Sequence, residues 1–144
     1  MSKSTSVLSA MVAASFVLAA SAEAAGDVAA DRQALMKQNG AATRVLAGMV
    51  KGQTPFDAVA AQLAFRTLNT AALGFGHMFP EGSQTGANTE AAATIWSDRA
   101  GFDAAIAKYV ADTSAAITDL DSLKTAFGAA ASNCGSCHKS YRTK

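Results

Sequence analysis

Cysteine, histidine, proline and tryptophan are all scarce in this chain: two, two, two and one among 144 residues. Net charge is scarce as well. Lys and Arg number 12 and Asp and Glu 11, leaving a formal net charge of +1. No basic run or Lys/Arg stripe with interleaved aromatics is present, which argues against a nucleic-acid partner. Strand-like alternation is missing and β-branched runs are short. No apolar stretch reaches the ~20 residues that a membrane-spanning helix needs. Abundant alanine and rare proline leave a helix-favouring composition, in a chain of about one small domain.

Against this background the two cysteines stand out, because they fall together near the end: Cys134-Gly135-Ser136-Cys137-His138. C-x-x-C-H is the attachment signature of a c-type haem. Both thiols add to the haem vinyl groups as thioethers, and the adjacent imidazole binds the iron. On a helix, Cys134 and Cys137 share a face and His138 lies four on from Cys134. One short segment therefore holds both the porphyrin edge and the metal. Three other uses of these residues are open. A thioredoxin-type redox pair belongs at the start of a helix just after a strand, whereas this pair lies late in a helical segment. A structural zinc site needs four ligands and would consume Cys134, Cys137, His138 and His77, every Cys and His in the chain. A plain disulfide leaves His138 without a role.

The N-terminus points the same way. Lys3 precedes an apolar stretch from about Val7 to Ala20, followed by Ala20-Ser21-Ala22-Glu23-Ala24. These are the three regions of a secretory signal peptide, expected over residues 1–24, with cleavage after Ala24 or, as second choice, after Ala22. An uncleaved membrane anchor is the alternative. Covalent c-type haem is normally assembled outside the cytoplasm, so export and haem agree. The expected mature domain is residues 25–144, located in the periplasm with no membrane span after processing.

Four helical segments are expected. In the first, about Asp27 to Lys51, Val28, Arg32, Leu35, Met36, Asn39, Ala42, Leu46, Met49 and Val50 share one face, and Gly52 is a natural stop. The second opens at Thr54-Pro55-Phe56-Asp57 with Thr54 as cap, Pro55 in first position and Asp57 at the positive helix end. It is apolar on most sides, which predicts deep burial, and it ends at Gly74-Phe75-Gly76. A long loop follows from Gly76 to about Ala87. The third segment starts between Asn88 and Trp96 and runs to Ile117. The fourth, Asp121 to about Arg142, carries Leu123, Phe127, Ala130, Cys134, Cys137 and Tyr141 in a heptad-like stripe that turns both cysteines inward.

Two short connections and one longer one predict an all-α, antiparallel, up-down-up-down four-helix bundle. In that topology the start of the first helix, the end of the second, the start of the third and the end of the fourth share one end. His138 puts the haem there, with Arg32, Met36, His77, Met78 and Trp96 in the neighbourhood. Met36 lies ~13 Å into its helix at 1.5 Å per residue, level with His138 on the antiparallel partner. Met49 is ~20 Å further along. On position alone Met36 is either a ligand or core filler; Trp96 reads as core packing and His77 as a solvated loop residue.

Cys134-x-x-Cys137-His138-x-x-Tyr141-Arg142 resembles the class II cytochromes c, the family of cytochrome c-prime. So do Lys51-Gly52-Gln53-x-Pro55-Phe56-Asp57-Ala58 and Ile95-Trp96-Ser97-Asp98 followed by Gly101-Phe102. Together these motifs span most of the mature chain. Leu35-Met36-Lys37-Gln38-Asn39-Gly40 is similar to the low-spin cytochrome c-556 branch, whose members bond a first-helix Met to iron. The high-spin branch has a non-ligand near that place and leaves the iron open to NO or CO. The resemblance thus implies one covalent haem c held by Cys134 and Cys137, with His138 as proximal and Met36 as distal iron ligand. It makes Arg142 the basic residue beside the proximal imidazole, tuning the iron through it. Arg32, one turn before Met36, is placed to meet a haem propionate.

Six-coordinate His/Met iron is low-spin in both oxidation states, and a soft thioether raises the potential relative to bis-His ligation. No substrate position is left open and no acid–base pair stands beside the iron. The expected function is therefore that of a one-electron carrier rather than an enzyme, meeting other redox proteins in transient encounters. A gas-binding protein that captures NO or CO is the alternative. Bundles of this family often form homodimers through their first two helices.

Overall fold

The computed structural model describes residues 20–86 and 88–143, with side chains from Val28 onward. Residues 1–19 of the expected signal peptide lie outside the described residues. Helix α1 spans Ala20–Val50 and starts earlier than Asp27, because the alanine-rich run before it contains strong helix formers. It stops at Gly52, whose φ of +68° suits glycine. There Gln53 N–H donates to the Gly48 carbonyl at 2.8 Å and Gly52 N–H to that of Met49 at 3.1 Å, the paired bonds of a Schellman motif.

Helix α2, Ala58–Phe75, is capped by Asp57, whose carboxylate accepts from Ala60 N–H at 2.9 Å. The helix thus begins after Thr54 and Pro55, not at them. A 3-10 turn at Gly76–Met78 follows, then irregular chain up to α3. The expected third helix is divided. A single turn, α3 (Thr94–Ser97), precedes α4 (Arg99–Thr113). Asp98 makes the break: at φ −122°, ψ 57° it caps α4 by accepting from Gly101 N–H. A Cβ at Gly101 would lie 2.2 Å from Asp98 Oδ2, so a side chain there would force this carboxylate to shift. Helix α4 ends at Thr113, short of Ile117, where Thr113 Oγ1 bonds back to the Tyr109 carbonyl at 2.6 Å and Ser114 Oγ to that of Ala111 at 2.7 Å. Ile117 is buried all the same, its N–H held by Gln62 Oε1. Helix α5, Leu120–Tyr141, opens with a capping box between Asp119 and Ser122.

Helix α1 packs on α2 and α5, and α4 packs on the same two. This is the ring of an antiparallel four-helix bundle, with α3 as a one-turn preface to the third helix. Arg32 near the start of α1 bonds Ser83 beyond α2. Ala91, before α3, forms an isolated bridge with Arg142 at the end of α5. The four expected termini therefore share one end.

The core comes in two parts. One gathers Leu46, Met49, Phe65, Leu68, Ile117, Leu123 and Ala130; the other gathers Phe79, Ile95 and Phe102, with Phe75, Trp96, Ile106 and Tyr141 against them. Helix α2 is less enclosed than its composition suggests. Its inward face is Ala61, Ala64, Phe65, Leu68, Ala71 and Ala72, while Val59, Leu63 and Leu73 are 60–70% exposed. An apolar side chain on every face cannot be buried by two neighbours lying on one side of the helix.

Candidate metal centre

On α5, Ala130 belongs to the first core and Tyr141 packs on the second. Cys134, Cys137 and His138 occupy the turns between them. On α1 the same interval runs from Arg32, which stacks on the second core at Phe79, to Ala42 and Leu46 in the first. Met36 and Asn39 fill it. The residues singled out by sequence thus converge on the gap between the two cores, on helices in contact.

Cys134 and Cys137 are half-buried and unbridged. Burial pushes both thiols up, and Cys134 pushes Cys137 up further. A redox-active Cys-x-x-Cys pair needs the opposite, a thiol with a lowered pKa. Among the described residues no three Cys, His, Asp or Glu side chains converge as a metal shell, and exposed His77 sits on the 3-10 turn, so the zinc arrangement is not formed. Tyr109 of α4 lies beside the pair: burial first, then the two thiols, hold its phenol well above the usual range.

His138 is exposed on the helix edge next to the cysteines. Desolvation is the main cause that lowers its pKa; Arg142 adds to the lowering and Glu90 opposes it. The Arg142 side chain itself is turned to Glu90, in an ion pair with Nε 2.6 Å from Oε2. Met36 is half-buried on the inner face of α1.

Arg32 is only 5% exposed. Its Nη2 donates to the Ser83 carbonyl at 2.8 Å and its guanidinium carbon lies 4.6 Å from the Phe79 ring centroid and 6.0 Å from that of Trp96. Desolvation lowers its pKa. None of these partners is a carboxylate, and its Nε has no hydrogen-bond partner. The aromatic rings beneath it meet edge to face, Phe79 with Phe75 at 5.0 Å, with Phe102 at 4.9 Å and with Trp96 at 5.9 Å. Trp96 is half-buried packing here, tied by Nε1 to the Pro80 carbonyl at 3.1 Å.

The donor set fits a haem. Two thiols and an imidazole on α5 and a thioether on α1, a helix in contact with it, lie in the intervals between the same two cores, with an aromatic wall at one end. A buried cation without a counter-ion is costly, and a propionate would supply one at Arg32. Sequence reasoning singled out Cys134, Cys137, His138, Met36, Arg32 and Arg142. It missed Ser83 and Phe79 as the partners of Arg32, and Glu90 as the partner of Arg142, because each contact spans some fifty positions without a local pattern.

A family model described as Cytochrome C' matches residues 27–142. The chain is 40% identical to a cytochrome c' of Rhodopseudomonas palustris, over 82% of this chain and 83% of that protein. It is also 40% identical to a cytochrome c-556 of Agrobacterium fabrum, over 84% of each. The solved structure of a Rhodopseudomonas palustris cytochrome c' superposes with a TM-score of 0.77 at 40% identity, covering 82% of this chain and 97% of that one.

Proposed function

The chain belongs to the cytochrome c' family, and from that premise we propose that it is an exported one-electron carrier, with one covalent haem c whose iron sits between His138 and Met36. The bound haem supplies a one-electron iron couple. Cys134 and Cys137 would anchor it, His138 and Met36 would supply side-chain ligands to its iron, and Arg32 would offer a cation to a propionate. Arg142 and Glu90 set the charge around the proximal imidazole. Side-chain ligands from both His138 and Met36 would hold the iron without an open substrate position. Electron carriage to other redox proteins, rather than turnover of a substrate, is the function that follows.

What supports this reading is that Met36 on α1 and His138 on α5 both fall in the interval between the two cores, on helices in contact. Export to the periplasm rests on the sequence of residues 1–24 and on the chemistry of covalent haem attachment. Among the described residues no helix is long and apolar enough to cross a membrane. Val45, Val59, Leu63 and Leu73 are exposed on α1 and α2, and an apolar patch on the first two helices is what a homodimer would cover.

Replacement of Met36 tests the ligation. Met36→Ala should turn a low-spin ferric spectrum high-spin and open the iron to NO and CO. An unchanged spin state, with gas binding equal to that of the parent, would leave the gas-binding function as the better account.

A further inference from the structure

The last turn of α5 is laced to the segment before α3. Ala92 N–H donates to the Tyr141 carbonyl at 3.0 Å and Thr143 N–H to the Glu90 carbonyl at 2.9 Å. Thr94 Oγ1 donates to the Ser140 carbonyl at 2.8 Å, and Ala91 bridges Arg142. These backbone bonds bring Glu90 alongside a residue 52 positions later, and its carboxylate takes the Arg142 guanidinium through both Nε and Nη2. His138 lies in the last turn of α5, four positions before Arg142, which follows the helix as its C-cap.

We propose that Glu90 is a positioning residue of the proximal side: its carboxylate fixes the Arg142 guanidinium next to His138 and cancels that cation's field at the iron. The inference rests on His138 being the proximal ligand. It does not depend on Met36. Oxidation of the iron adds one positive charge, so a nearby fixed cation favours the ferrous form and a nearby carboxylate favours the ferric form. The pair presents both. As a contribution to stability this half-exposed pair is worth little. As a setting of the iron's charge environment it matters, because one unit charge ~10 Å away in a largely aqueous surrounding shifts an equilibrium a few-fold.

The backbone bonds separate a structural role from an electrostatic one, since they survive a change of the Glu90 side chain. The test is the reduction potential of the haem-loaded full chain, measured for the parent, Glu90→Gln, Glu90→Asp and the Glu90→Gln/Arg142→Gln double variant. Glu90→Gln leaves Arg142 uncompensated and should favour reduction about threefold, equal to about 28 mV at 59 mV per decade for one electron. Glu90→Asp should stay near the parent. The double variant should return most of the way, and added salt should shrink the Glu90→Gln shift. A Glu90→Gln potential equal to the parent's overturns the proposal. So does a double variant displaced as far as Glu90→Gln, because both variants would then share only a loosened loop. A haemochrome spectrum of the same samples reports separately on haem attachment: protein without covalent haem contradicts the proposed function itself, whereas full loading with unmoved potentials contradicts the role of Glu90 alone.

Discussion

The Arg32 guanidinium lies 4.6 Å from the centroid of the Phe79 ring, buried where α1 meets the chain beyond α2. One side chain thereby joins the first helix to the second core. It meets a ring face and a carbonyl and, among the described residues, no carboxylate, so its charge is available to an anion at the same place.

Removing that cation should loosen the corner and unsettle the haem together. Arg32→Leu should cost about 2 kcal/mol of unfolding free energy, from a desolvated cation–π contact and lost hydrogen bonds. Arg32→Lys should recover part of it, since a point charge cannot reproduce the fork. Denaturant titration of the haem-loaded variants, followed at the haem absorbance and at Trp96 fluorescence, checks this. Unchanged midpoints would show Arg32 to be a bystander.

Acid stability should depend on the cap of α5. The Ser122 backbone N–H holds the Asp119 carboxyl below its ordinary value, with the Ser122 side chain assisting. A carboxylate lowered in the folded state contributes stability above its unfolded value of 3.8, and that contribution is lost as pH falls through the lower folded value. Asp119→Asn keeps a cap of similar quality without titrating. Its denaturation midpoint should therefore fall less steeply than the parent's between pH 5 and pH 3. Asp112, lowered mainly by Lys108 and also by Asn133, leaves a residual slope in both.

The exposed stripe on α2 should govern association. Leu63→Asp places a charge in the middle of it without touching the inward face of Phe65 and Leu68. Sedimentation velocity should show a dimer for the parent and a monomer for the variant, with the haem spectrum unchanged. A parent that sediments as a monomer at all concentrations would remove the assignment of this face to a second copy.

Much of the site was legible because its parts obey local rules. Cys134, Cys137 and His138 form one contiguous motif, and the stripe from Leu123 to Tyr141 reports its own inward face. The level of Met36 along α1 followed from helix rise and antiparallel order, whereas its reading as a ligand came from the family resemblance. The break at Asp98 was also within reach, since Asp is a preferred N-cap residue and it stands inside what otherwise reads as one helix. Periodicity hid it because Ile95 and Phe102 stay in phase across the break. Ile117 misled for a related reason: it is buried, but by an extended connector rather than a helix. The outward Leu63 and Leu73 could not be told from inward residues, because a helix apolar all round carries no record of where its neighbours lie. Arg32 with Ser83 and Phe79, and Arg142 with Glu90, depend on how a long loop folds back, and no short-range pattern encodes that.

The most direct test of the account is the absorption spectrum of the oxidised and reduced protein, matured with covalent haem, with and without NO or CO. Ligation of the iron by both His138 and Met36 would give a low-spin ferric spectrum, a near-infrared Met-to-iron charge-transfer band, and no rapid gas binding. A high-spin spectrum that shifts at once when gas is added would contradict the account and make this a gas-binding protein with an open distal site.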